Sequence, residues 1–226
     1  MNIKNVLDFE KFVNGEVKEA TVELGGLAEG SRNHLQKLVY TNLVDRFDVM
    51  VDKTILDNAL HERLLDDALK KLDSPVSESD VLKLLMDGND IHEIVESRVQ
   101  NILRDGVLRG RHSNKVSKLF DLMDMEKNLW TKPRVNISTG KILASFTPQN
   151  KKTPTSICGY ADWLYSRRNS IVHGGGSSKM LENDVTQLKK LFKVEVAKNT
   201  RLSFSALGVT SEFYLGVVKL IKNANS

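Results

Sequence analysis

An all-α fold is the class this sequence predicts. Apolar residues recur at spacings of three, four and seven along most of the chain, as they do on helical faces. Three of the four prolines, Pro133, Pro148 and Pro154, crowd between Thr131 and Ser156, so helix breaking is concentrated there. Strand-compatible runs are confined to that window and to a short stretch before the last helix.

In chain order, NVLDFEKFVNGEVKEATVEL places Val6, Phe9, Val13, Val17 and Leu24 on one face, giving an N-terminal helix within residues 1–30. GGLAEG, from Gly25 to Gly30, breaks or bends the chain. From Asn33 the pattern is strongest. Leu35, Leu38, Val39, Leu43, Phe47, Met50, Val51 and Ile55 make one apolar face over about six turns, the central helix of a bundle. HERLLDDALKKL continues as helix to Leu72. A break at Ser74–Pro75 precedes a short helix capped at Ser77 or Ser79 and ended by Gly88. Ile91, Ile94, Val95, Val99, Ile102 and Leu103 stripe the next helix, and SNKVSKLFDLMDM forms a shorter one.

In the proline window, RVNIST and ILASFT flank Gly140–Lys141, the pattern of a small β-hairpin. TPQNKKTPT reads as an exposed basic loop. SICGYADWLYSRRNSIVH is helical again and stops at three glycines, Gly174 to Gly176. MLENDVTQLKKLFKVEVAKNTRLSFS reads as helix and then a short strand. GVTSEFYLGVVKLIKN closes as a helix capped near Thr210 or Ser211. The expected architecture is a helical bundle with one irregular insertion before the histidine-bearing helix.

At 226 residues the chain suits a single domain with a sizeable core. Cys158 is the only cysteine, so an intrachain disulfide and a multi-thiolate zinc site are excluded and a reducing compartment is expected. The N-terminus mixes charges into every turn, unlike a signal peptide. No apolar run approaches the roughly 20 residues of a membrane span. A cytoplasmic location is expected. The formal charge of +4 suits a polyanionic partner and raises that prior only slightly.

The most unusual chemistry lies in YSRRNSIVHGGG, Tyr165 to Gly176. At about 100° per residue, Ile157, Tyr160, Ala161, Leu164, Ile171 and Val172 form the face that should meet the bundle. Asp162, Ser166, Asn169 and His173 form a polar stripe opposite. Arg168 projects into the apolar face, and Arg167 lies on the flank. A buried guanidinium cannot shed its charge and needs a partner. Asp45, Asp48 and Asp52, at spacings of three and four, offer one. Part of this segment is ordinary helix-end physics, since a cation and a glycine suit a helix C-terminus. One glycine suffices for that, and Arg168 has no role in capping.

On these residues the chain resembles the HEPN superfamily, whose hallmark is R-x(4–6)-H near a helix end with a polar residue after the arginine. Arg168-Asn169-Ser170-Ile171-Val172-His173 gives R-N-x3-H; Arg167 also satisfies the looser spacing. HLQKLVYTNLVDRFDVMVDKTI is similar to the first core helix of the RiboL-PSP-HEPN subgroup, and LKKLFKVEVAKNTRLSFS is similar to the segment C-terminal to the motif in that subgroup. Residues 73–156 are longer than the link between core helices in the shortest such domains. The resemblance implies a metal-independent endoribonuclease without a cofactor, cutting single-stranded RNA as a homodimer in a toxin or antiviral defence role. It implies that the 2′-hydroxyl attacks the adjacent phosphate, that Arg168 stabilises that phosphate, and that His173 does acid–base work. Asn169 would orient His173 or the scissile group. A cognate antitoxin protein is a further implied partner; a non-catalytic binding module is the alternative.

The helical wheel poses a geometric problem. On a regular helix Arg168 and His173 point about 140° apart. Either the helix unwinds before the glycines and re-aims His173, or a two-fold dimer completes the site.

Other candidates are weaker. STGK, Ser138 to Lys141, is half a P-loop, but Val135 and Ile142 occupy the first glycine and the Ser/Thr positions. RGRHSNK, with His112, reads as a solvated basic loop or an RNA-backbone contact. His34, His61 and His92 lack a second histidine or cysteine ligand at helical spacing.

Overall fold

A computed structural model describes residues 1–71, 77–88, 90–144, 155–173, Thr186 and 202–226. The expected basic loop, the glycine run after His173 and most of the segment after it lie outside the described residues, as does the Ser74–Pro75 break. Among the described residues the fold is all-α.

The chain opens with α1 (Lys4–Phe12), a π-helical turn (Val13–Val17) and α2 (Lys18–Gly25). The apolar stripe survives the wider turn: Val6, Phe9, Val13, Val17 and Leu24 are all buried. Then α3 (Glu29–Leu56) runs through the centre of the molecule. It starts four residues before Asn33. Its buried face is Gln36, Tyr40, Leu43, Val44, Phe47, Met50, Val51, Thr54 and Ile55, whereas Leu35 and Leu38 are 41% and 54% exposed. Of the expected stripe, the first turns therefore face outward. The helix ends at Asp57, where Asn58 Nδ2 donates to Thr54 O and to Asn2 O. The next segment is therefore a separate helix, α4 (Glu62–Leu69), and not a continuation.

Next come α5 (Glu78–Met86) and α6 (Ile91–Asp105). Ser77 caps α5 by accepting from Asp80 N–H, and Asp90 caps α6 by accepting from His92 and Glu93. Gly88, at φ +72°, lies beyond the end of α5 in a conformation glycine tolerates. After a short 3₁₀ turn come α7 (His112–Leu122) and α8 (Lys127–Thr131). Helix α8 is one turn that periodicity cannot reveal, yet it buries Trp130, whose indole N–H donates to Ser117 Oγ at 2.9 Å. The described residues of segment 73–156 are built into the body of the protein: Val99, Leu103, Val116, Leu119, Phe120 and Trp130 all join the core.

The expected hairpin is reduced to isolated bridges, Val135 with Ile142 and Val135 with Thr155. Gly140 makes the turn at φ +75° and lies against the last helix, α10 (Ala206–Ala224). A Cβ on Gly140 would stand 2.1 Å from Val209 O. Helix α10 begins at Ala206, before the expected cap at Thr210 or Ser211, and the Thr210 hydroxyl instead donates back to Ala206 O. Phe47 of α3 and Tyr214 of α10 stack with centroids 4.1 Å apart, and Phe9 of α1 meets both rings edge-on. Glu10 and Lys222 join α1 to α10 at 2.8 Å.

Candidate functional site

The motif helix is α9 (Ile157–His173). Ser156 starts it: its Oγ accepts from Gly159 N–H and its carbonyl from Tyr160 N–H. Ile157, Tyr160, Ala161 and Leu164 are buried, as the wheel predicts. Tyr40 of α3 donates to Leu164 O at 3.1 Å and ties the two helices together. Val172, placed on the same face by the wheel, is 45% exposed. Ser170 is nevertheless fully buried and Ile171 packs against the core, so the packed surface of α9 reaches into its last turn.

Arg168 is partly buried in the last turns of α9, with 21% of its side chain exposed. Asp45 is the acidic partner among the three carboxylates of α3. Arg168 Nη2 donates to Asp45 Oδ2 at 3.0 Å, and Nε lies 2.6 Å from Oδ1. Arg168 Nη1 donates to Asn169 Oδ1 at 3.0 Å. The ring of Tyr165 lies 6.0 Å from the guanidinium carbon. Asn169 thus engages the arginine beside it. A guanidinium has five N–H groups, so Asp45 and Asn169 leave donors on Nη1 and Nη2 for another acceptor.

His173 is the last residue of α9 and is exposed. The helix is α-helical through it, so unwinding before His173 does not occur. Arg168 and His173 therefore point about 140° apart and are separated by about 7.5 Å of helical rise. One helix does not aim both at a single phosphate.

A second polar cluster lies behind the motif helix, where sequence reasoning expected a solvated loop. His112 opens α7 and is only 3% exposed. Its Nδ1 lies 2.8 Å from Asp48 Oδ1, and its ring stacks on Tyr165 at 4.9 Å and 4°. Lys115, one turn further, is also buried and reaches Asp48 at 3.1 Å and Asp52 at 3.0 Å. Burial pushes the Asp48 carboxyl up, but His112 and Lys115 together hold it below the usual 3.8. Burial prevails at Asp52, aided by the neighbouring Asp48 charge, and lifts it above 3.8. Burial lowers the Lys115 ammonium, but the two carboxylates outweigh this and leave it above 10.5. Asp162, from the polar stripe of α9, accepts from Ser113 N–H at 2.7 Å and caps α7. The three aspartates of α3 are thus ion-pairing groups, divided between α9 and α7.

The remaining candidates do not assemble into sites. Ser138 to Lys141 lies around the Gly140 turn, where Asn136 Oδ1 accepts from Ser138 N–H. Among the described residues, no cluster of histidine, cysteine, aspartate and glutamate has metal-binding geometry, and no helix is long and apolar enough to cross a membrane. No protein-family model matches the chain, and neither the curated proteins nor the solved structures contain a significant match.

Proposed function

We propose that this chain is a HEPN-type, metal-independent endoribonuclease that cuts single-stranded RNA as a homodimer, in a toxin or antiphage defence role. The reading is supported chiefly by Arg168: it is held in a fixed orientation by Asp45 and Asn169 beside the exposed end of α9, where His173 stands free of the core. A fixed guanidinium with spare donors suits a phosphate whose charge grows during 2′-hydroxyl attack. An exposed imidazole suits proton transfer near neutral pH. The 140° divergence on one helix favours a groove lined by two copies, with arginine and histidine drawn from different chains.

A second reading has its own support. Asp45 neutralises Arg168, as in a purely structural ion pair. A HEPN-like module that binds RNA or protein without cutting would keep that pair.

The test is incubation of single-stranded RNA with the wild type, Arg168→Ala and His173→Ala in EDTA. Cyclic-phosphate products and a loss of at least about 100-fold for His173→Ala support catalysis. Cleavage that survives both substitutions, or none by the wild type, removes the nuclease reading. RNA binding without cleavage selects the second.

A further inference from the structure

The Asp45 carboxylate lies along the Nε–Nη2 edge of Arg168, with Oδ1 2.6 Å from Nε and Oδ2 3.0 Å from Nη2. A guanidinium takes phosphate and carboxylate on that same two-point edge. We propose that Asp45 is autoinhibitory: it fills the anion-binding edge of Arg168 in the free chain, and an RNA phosphate binds there by displacing it. This rests on the reading that Arg168 meets an RNA phosphate, and adds how that contact is restrained.

Arg168 does not depend on Asp45 for its aim. Asn169 Oδ1 accepts from Nη1 at 3.0 Å, and the Tyr165 ring lies 6.0 Å from the guanidinium carbon. Both holders belong to α9, as Arg168 does, so they stay in place when a side chain of α3 turns away. Asp45 is able to turn. Its side chain is 42% exposed, so the carboxylate returns readily to water. Asp48, one turn further along α3, is gripped by both His112 and Lys115, whereas Arg168 is the only ion-pair partner of Asp45 among the described residues.

The grip of Asp45 is also incomplete. Nε of Arg168 is buried, and despite the 2.6 Å approach no acceptor is aligned with its N–H. A buried donor in that state is unfavourable, and the two free oxygens of a phosphodiester can meet Nε and Nη2 together. While Asp45 stays, the pair is neutral and an approaching phosphate is repelled by the carboxylate. Removing the Asp45 charge therefore tightens RNA binding. If the carboxylate served only to position Arg168, the same change would weaken it.

The test is fluorescence anisotropy of the full-length chain with a labelled 2′-O-methyl oligouridylate. This probe lacks the attacking hydroxyl, so binding is read apart from cleavage. Asp45→Asn should bind about three- to tenfold more tightly at low salt, and the gain should shrink as salt is raised. Asp45→Ser should do the same, and Asp45→Glu should keep wild-type affinity. Adding Arg168→Ala to Asp45→Asn should abolish the gain. If both neutral variants bind as the wild type does or more weakly, while Arg168→Ala alone weakens binding, the proposal falls and the RNA reading stands. A gain that persists without Arg168 also overturns it, because it is then a general charge effect. Loss of folding in both neutral variants, seen in urea denaturation, overturns it too, since the carboxylate then serves the fold. If Arg168→Ala binds as tightly as the wild type, Arg168 meets no phosphate, and the proposal falls together with the RNA reading of that residue.

Discussion

Asp45 of α3 and Arg168 of α9 meet side by side, one carboxylate oxygen 2.6 Å from Nε and the other 3.0 Å from Nη2. The pair fixes the arginine of the motif to the central helix. Asp45 is 42% exposed at its side chain, so solvent screens the attraction. A double-mutant cycle of Asp45→Ala and Arg168→Ala, followed by urea denaturation, should give a coupling of about 0.5–1 kcal/mol. A coupling near zero would show that the two charges are solvated independently.

The buried network makes stability depend on pH in two windows. Asp48 lies below its usual 3.8, so it stabilises the fold above about pH 4 and that contribution is lost as pH falls through its folded value. Lys115 lies above 10.5, so its contribution is complete below that value and is lost as pH rises through its folded value. Asp52, raised above 3.8, opposes Asp48 and costs stability as it ionises. The urea midpoint should therefore be flat around neutrality and fall at both extremes. Lys115→Met should cost about 3 kcal/mol at pH 7 by leaving two carboxylates unbalanced. The variant should recover partly as pH drops towards about 5, where protonation relieves the repulsion. If it instead tracks the wild type at every pH, Lys115 is not the counter-charge.

Gly140 has both a positive φ and no room. A methyl group there meets Val209 O at 2.1 Å, and φ is +75°. Gly140→Ala should destabilise by at least about 2 kcal/mol, measured as a lower denaturation midpoint. Gly208→Ala is the matched control, since nothing lies within 4 Å of its Cβ position.

Mixing subunits distinguishes a shared site from two separate ones. On the proposed nuclease reading, Arg168→Ala and His173→Ala proteins are each inactive alone, and a homodimer would let mixed dimers carry one complete arginine–histidine pair across the interface. Refolding equal amounts together should restore about a quarter of wild-type RNA cleavage, because half the dimers are mixed and each has one site. No recovery, in a mixture shown by mass to contain heterodimers, places both groups of each site on one chain.

Long helices with one apolar face were legible in the sequence, and so was the position of Arg168 among apolar residues of α9. Its acidic partner was narrowed to three aspartates of α3, and structure selected Asp45. Other features had no usable signal. Leu35 and Leu38 continue the stripe of α3 but lie beyond the part of the helix that is covered. Periodicity records which face can be buried, not how far a neighbour extends. RGRHSNK reads as solvent-exposed because lone charges avoid the core, yet His112 is buried against Asp48, and Lys115 is buried where Asp48 and Asp52 offset its charge. That pairing spans more than sixty positions, as the Lys115–Asp52 separation of 63 shows, so no local window detects it. Helix α8 has five residues, too few for a repeat to appear.

The contact between the first and last helices bears on how the chain folds during synthesis. Glu10 and Lys222 are 212 positions apart, and Phe9 of α1 packs against Tyr214 of α10. On a ribosome adding roughly 5–20 residues per second, α1 therefore waits for synthesis of the 212 positions that separate Glu10 from Lys222 before this contact can form. Until α10 emerges, the faces of α1 and α3 that it covers remain open to water. A nascent chain of this protein has an incomplete core, and any activity that requires the finished bundle begins only after α10 has been made.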